Sequence, residues 1–246
     1  MENSKLPFQY WFIAMHLITS TKKSISAKEM QRQLGHKRYE PIWAMMHKLR
    51  LVMGIRDQSY TLSNEVELDE GFFETVSIVR DKTEPLKRGK GSQKQTTVLV
   101  SVESETITDD RIIKKHKIKK KVGYLKMKVI DSLKKKDIAN YTGKLIDTGT
   151  YIVTDGSNSY NDLHENYNHN PQVVSKKELV KHLPWVHIVI SNSKRLLLNT
   201  YHRIDDDFLQ SYLNEFCFKF NRRYFDDLFD RLLITSASYR WNYLGG

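Results

Sequence analysis

Trp11, Ala14, Met15 and Ile18 recur at the three- and four-residue spacing that lays one apolar stripe along an α-helix. Ser26-Ala27-Lys28-Glu29 follows, with a hydroxyl at a cap position and a carboxylate three residues on. It opens a second predicted helix, with Met30 and Leu34 on one side and Gly35 as its stop. Ile42, Met45, Met46 and Leu49 mark a third helix, which also carries His47, Lys48 and Arg50. Helix, glycine-containing turn and basic helix is the layout of a helix-turn-helix. Residues 1–58 are therefore expected to form a small helical region that presents Lys48 and Arg50 to DNA. A bundle used only for packing has the same pattern.

From about residue 65 the period shortens. Val66, Leu68 and Phe72 alternate with acidic residues, and Val98, Val100 and Val102 alternate again, so both segments read as strands. Residues 106–113 suit a third strand, and Leu125, Val129, Ile130 and Leu133 a helix crossing back over the sheet. Tyr151 to Thr154 is a short buried-type strand that closes on Asp155-Gly156, after which Ser157 caps a helix to about Leu163. His187 to Ile190 reads as a further apolar strand, and Phe208, Tyr212, Leu213, Phe216 and Phe220 as one face of a closing helix. Strands followed by alternating helix and strand indicate an α/β mixed sheet with flanking helices over residues 59–246.

Charge adds a partner to this picture. Lysine and arginine outnumber aspartate and glutamate by 40 to 29, a surplus of +11 that attracts polyanions. Much of it lies in two stretches, a glycine-containing loop with Lys87, Arg88 and Lys90, and a run with Lys115, Lys117, Lys119 and Lys120. Both are expected to grip phosphates, unless they are simply solvated. No stretch approaches the ~18 apolar residues of a membrane helix: Phe8 to Ile18 is interrupted by Gln9 and His16. No signal peptide is evident, and Cys217, the one cysteine, excludes an internal disulfide and a cysteine-built zinc site. A reducing cytoplasm is the expected location.

Two carboxylates carry the candidate chemistry. Alternation places Glu67, Asp69 and Gly71 on one face of a strand, and Asp155 ends another, where α/β folds hold their ligands. Carboxylates converging from neighbouring strands can bind Mg²⁺, and paired ions drive phosphoryl transfer. An Asp before Gly is also a common turn residue, and a strand Asp also pairs with lysine.

Several segments, in order, resemble bacterial insertion-sequence transposases of the ISXO-like DDE group. They are Glu67-Leu68-Asp69-Glu70, Lys87-Arg88-Gly89-Lys90-Gly91, Thr154-Asp155-Gly156 with Tyr160, His187 through Lys194, Thr200-Tyr201-His202, Tyr212 through Phe216, and Phe220-Asn221-Arg222-Arg223. The resemblance implies a ribonuclease-H-like catalytic domain that cleaves and joins DNA strands. It implies a catalytic set of Asp69, Asp155 and Asn192, with Lys194 nearby, and Mg²⁺ as cofactor with Mn²⁺ as substitute. It implies terminal inverted repeats and target DNA as partners, a homo-oligomer in the active complex, and a bacterial, nucleoid-associated setting. Members of the group often begin with a cysteine zinc ribbon, which has no counterpart here. Asn192 is expected to follow the strand 187–190 at a helix start. Of the competing third carboxylates, Glu178 precedes that strand, and Asp205-Asp206-Asp207 reads as the cap of the last helix. A helix-turn-helix regulator, a structure-specific nuclease and an inactive transposase copy share parts of this pattern.

Overall fold

The computed structural model describes residues 4–76, 92, 94–107 and 119–239. In chain order its elements are α1 (Phe8–Ser20), α2 (Ala27–Leu34), α3 (Glu40–Asp57), β1 (Glu65–Glu74), β2 (Gln95–Thr106), β3 (Lys120–Ile130) and α4 (Lys135–Leu145). There follow β4 (Tyr151–Asp155), a 3-10 turn (Asn158–Glu165), β5 (Asn168–Gln172), α5 (Lys176–His182), α6 (Pro184–Thr200), a second 3-10 turn (Asp206–Phe208), α7 (Leu209–Asn221) and α8 (Leu228–Ser238). Two compact units result: Met1–Ser59 with Leu196–His202 and Ser211–Gly246, and Tyr60–Arg195 with Arg203–Gln210.

The first unit is helical. α1 buries Trp11, Ala14, Met15 and Ile18, the stripe read from the sequence. Ser26 Oγ accepts from Glu29 N at 3.1 Å to start α2, and Gly35 ends it in the left-handed conformation at φ 62°. Ile42, Met45, Met46 and Leu49 of α3 join the same core, which is completed by Phe218 and Leu232 from α7 and α8. The sequence groups residues after 211 with the catalytic region. Contacts group them with the N-terminal helices instead, because those helices have no closed core without Phe218 and Leu232. Phe216 and Phe220, expected inside, are half-exposed, and Cys217 and Phe218 point inward in their place.

Arg50 is the second difference. It is 1% exposed, donates through Nε to Glu215 Oε2 at 2.9 Å and through Nη2 to Tyr201 Oη at 2.9 Å, and lies 4.6 Å from the centroid of Tyr212. A guanidinium held this way is spent on the core and cannot reach DNA. Arg50 falls on the buried side of α3 with Met46 and Met53, whereas Lys48 shares the exposed side with Ala44 and Leu51. Exposed basic residues gather instead near the α2–α3 turn, at Arg32, Lys37 and Arg38.

The second unit is built on a five-stranded sheet in the order β3-β2-β1-β4-β5. β1, β2 and β3 are antiparallel neighbours, and β4 and β5 run parallel to β1. A mixed sheet of this order flanked by helices is the ribonuclease-H-like arrangement. On one side, Val66, Leu68, Leu99, Ile130, Ile138, Ile152, Tyr160 and Leu163 form the core. Of the residues read as a helix, Leu125, Val129 and Ile130 lie in strand β3: Lys126 and Lys128 alternate with Leu125, Met127 and Val129, a period of two that the apolar residues alone conceal. Lys126 is buried, bonded to Tyr60 O and 4.6 Å from the Tyr60 ring centroid. The crossing helix is α4, which starts after β3 has ended. Residues 187–190 are helix within α6, and the fifth strand is the polar edge β5, which no apolar alternation announces. β2 continues to Thr106, and 108–113 of the expected third strand lie outside the described residues. No helix among the described residues is long and apolar enough to cross a membrane.

The buried pair in the first unit yields a stability prediction. Removing one partner of such a pair strands the other charge, so Arg50→Ala should lower the unfolding free energy by about 3–5 kcal/mol in chemical denaturation. Burial pushes the Glu215 carboxyl up, but Arg50 and Lys219 together pull it below its usual 4.5. A depressed folded-state value makes the pair's contribution present above that usual value and lost as pH falls through the lower one. Acid should therefore destabilise the parent more steeply than Glu215→Gln, measured as thermal midpoint against pH.

Candidate active site on strands β1 and β4

Asp69 and Asp155 come together by register. β1 and β4 are parallel and pair through Glu67 with Val153. Two residues further along each strand, beyond the last pair of this ladder, Asp69 and Asp155 fall on the same face. Both are half-buried. Asp155 Oδ1 accepts from Ser157 N at 3.0 Å, and Asp69 Oδ1 accepts from Glu70 N at 2.8 Å, which orients each carboxylate locally. Tyr160 reports their proximity. Burial, then Glu70, Asp69 and Asp155 raise its hydroxyl well above the ordinary tyrosine range. That hydroxyl donates to Glu70 Oε2 at 2.6 Å, tying the turn after β4 to β1.

Helix α6 lies along the face of β1 that carries Asp69. Trp185 N and Val186 N donate to Glu67 Oε2 at 2.8 and 2.9 Å. His187 Nδ1 is 3.7 Å from Asp69 Oδ2. A Cβ added to Gly71 would stand in ordinary contact with Ile190 of α6 at 3.5 Å and would crowd the ring of Phe73, two residues on in β1, at 2.9 Å. Lys194 Nζ stands 5.5 Å from the centroid of Phe73. Burial lowers the Lys194 pKa against the pull of Glu74.

The α6 residue that faces Asp69 is His187, which the sequence reading placed in a strand. Asn192 does not follow a strand; it lies inside α6 and is exposed. His187 and Lys194 are seven residues apart, two helical turns, and share a face, whereas Asn192 is turned about 200° from Lys194. That spacing was visible in the sequence, but assigning 187–190 to a strand hid it. Burial lowers the His187 pKa despite Asp155 nearby, so its imidazole is neutral at neutral pH. His187 Nε2 is buried without a hydrogen-bond partner among the described residues.

This donor set fits a divalent cation. Two carboxylates and a neutral imidazole supply oxygen and nitrogen lone pairs, and one buried imidazole nitrogen has no other partner. The three ligand atoms do not all fall within 4.8 Å of one another, a distinction held among the described residues by Asp205, Asp206 and Asp207. A spread of that kind suits two ions about 4 Å apart better than one. The acidic triplet is a turn by comparison: Asp205 Oδ1 accepts from Asp207 N at 3.1 Å and caps the second 3-10 turn. Glu178 is likewise used locally, in a capping box with Ser175.

The expected phosphate contacts divide. Lys119 is exposed. Lys120 is engaged, with Nζ 2.7 Å from Glu65 Oε1 and 3.8 Å from Glu67 Oε1, and does not serve as a phosphate grip. Lys87, Arg88, Lys90, Lys115 and Lys117 lie outside the described residues.

No curated protein matches the chain. Among solved structures, the pre-cleavage Mos1 transpososome is 13% identical over 98% of this chain and 83% of that one, at a TM-score of 0.35. The catalytic domain of Mos1 mariner transposase is 12% identical over 80% of this chain and 95% of that one, at 0.36. A family model described as the ISXO2-like transposase domain matches residues 61–221, which take in the whole sheet, Asp69, Asp155 and all of α6. The chain belongs to the ISXO2-like transposase family.

Proposed function

We propose that this transposase cleaves DNA at the ends of an insertion sequence and joins them to a target, using a divalent-metal site formed by Asp69, Asp155 and His187. The observation that carries the reading is the meeting of carboxylates from β1 and β4 with a neutral, half-buried imidazole from α6. Mg²⁺ or Mn²⁺ bound there would supply an activated oxygen nucleophile and charge stabilisation for the leaving oxygen. Cleavage breaks a phosphodiester P–O bond with water and frees a 3′-hydroxyl. In joining, that hydroxyl attacks a target phosphodiester and expels the target's 3′-oxygen.

The protein's own groups divide the remaining work. Asp69 and Asp155 provide two negative charges, and His187 a neutral nitrogen that binds Mn²⁺ more readily than Mg²⁺. Lys194, on the same helix face, places a cation beside the scissile phosphate, where preorganised charge is most effective in a site shielded from water. Lys119 and the basic stretch before it, with Lys87, Arg88 and Lys90, extend the phosphate track over duplex DNA. Lys48, with the basic residues near the α2–α3 turn, contacts the terminal repeats. The working form is a homo-oligomer in the bacterial cytoplasm, associated with the nucleoid.

Asp69→Ala and Asp155→Ala should each abolish cleavage of linear DNA bearing the terminal repeats, while retention on the same DNA in a mobility assay stays unchanged. Undiminished cleavage by Asp155→Ala would remove the basis of the mechanism.

The third position is tested by metal titration of cleavage. His187→Ala should raise the Mn²⁺ half-saturation at least about tenfold, and His187→Glu should keep activity with the preference moved toward Mg²⁺. Asn192→Ala should match the parent. The reverse pattern, with Asn192→Ala impaired and His187→Ala normal, would return the role to Asn192.

A further inference from the structure

Helix α6 begins without a cap of its own. Leu183 O accepts from His187 N at 3.5 Å, which makes Leu183 the cap residue. A leucine side chain has no oxygen to offer the first-turn amides, and Pro184 has no N–H. The amides of Trp185 and Val186 are satisfied from the sheet, both by Glu67 Oε2, at 2.8 and 2.9 Å. Glu67 is 0% exposed, and its other oxygen accepts from Ser104 Oγ at 2.6 Å. Trp185 Nε1 adds a bond to Lys120 O at 2.9 Å. The start of α6 is thereby fixed to β1, β2 and β3. A carboxylate here also suits the positive end of the helix dipole.

Two adjacencies give this cap a consequence for the site. Glu67 stands two residues before Asp69 on the same strand face. Trp185 and Val186 immediately precede His187, which faces Asp69 at 3.7 Å. One side chain thus sets the register between the element that bears the carboxylate and the element that bears the imidazole. We propose that Glu67 is a positioning residue, which locks the first turn of α6 to β1 and so fixes the separation of Asp69 and His187. This rests on the metal site proposed above. A cap that served only the fold would stabilise the unit and leave metal affinity untouched.

Glutamine tests the difference well. Its carbonyl oxygen can still accept from both amides, while its NH₂ can donate to the Ser104 hydroxyl. Alanine leaves both amides buried and unsatisfied.

The experiment is calorimetric titration of the full chain with Mn²⁺, at a temperature well below every variant's thermal midpoint. The parent should bind Mn²⁺ in a manner lost in Asp155→Ala. Glu67→Ala should bind about tenfold more weakly, and Glu67→Gln should recover most of that loss. A lowered midpoint in Glu67→Ala with unchanged Mn²⁺ affinity overturns the positioning role. If Glu67→Ala does not fold, Glu67→Asp decides, because its shorter side chain withdraws the carboxylate from both amides; parental Mn²⁺ affinity in that variant overturns the positioning role. Absence of Asp155-dependent binding in the parent overturns the metal site itself, and the positioning role with it.

Discussion

The second unit depends on how closely one helix can lie on one strand. Glu67, Asp69, Gly71 and Phe73 alternate along a single face of β1. They meet, in order, the first turn of α6, then His187, Ile190 and Lys194. Each contact has its own chemistry: a carboxylate on amides, a carboxylate facing an imidazole, an absent side chain, an aromatic ring under an ammonium. Together the four contacts seat α6 along β1, with Ile190 packed beside the glycine.

How much of this was legible in the sequence varied with the kind of signal. Apolar periodicity located α1, α2 and α3, β1, β2 and β4, because those elements bury a regular stripe and expose the rest. It failed at β3, where Lys126 is buried beside Leu125 and Met127, since a lysine that bonds Tyr60 O looks polar on paper and is inside in the fold. It failed at α6 for the opposite reason. His187-Ile188-Val189-Ile190 is rich in β-branched residues and reads as a strand, and the cap that starts the helix comes from residue 67, far away in sequence. Tertiary contacts override local preference in both places. Asp69 and Asp155 were legible because strand ends and alternation suffice to place them. The approach of His187 to Asp69 was not, because it depends on the element type that the local pattern misassigned.

Charge was informative in sum and misleading in detail. The surplus of +11 fits a DNA partner. Yet Arg50, Arg222 and Lys120 each face a carboxylate, at Glu215, Asp57 and Glu65 respectively, and none of the three is on the open surface. Long basic side chains at helix or strand positions that face inward serve the core, and only burial separates them from the ones that meet phosphate.

The first unit draws its core from both ends of the chain, and this bears on the order of events during synthesis. Trp11, Met30 and Met46 leave the ribosome early, but Phe218 and Leu232, which close around them, emerge last. Until then α3 carries a guanidinium at position 50 without Glu215 to receive it, and the helices have an apolar side with nothing to cover it. The sheet, by contrast, has all five strands once residue 172 has appeared. At translation rates of about 5–20 residues per second, the nascent N-terminal helices stay open for roughly 10–40 s, although they are first in the message. The long sequence separation of their closing contacts makes them the slower part to form. A chain released before residue 232 would have the strands of a catalytic sheet but lack the segment that completes the core of the helices preceding it.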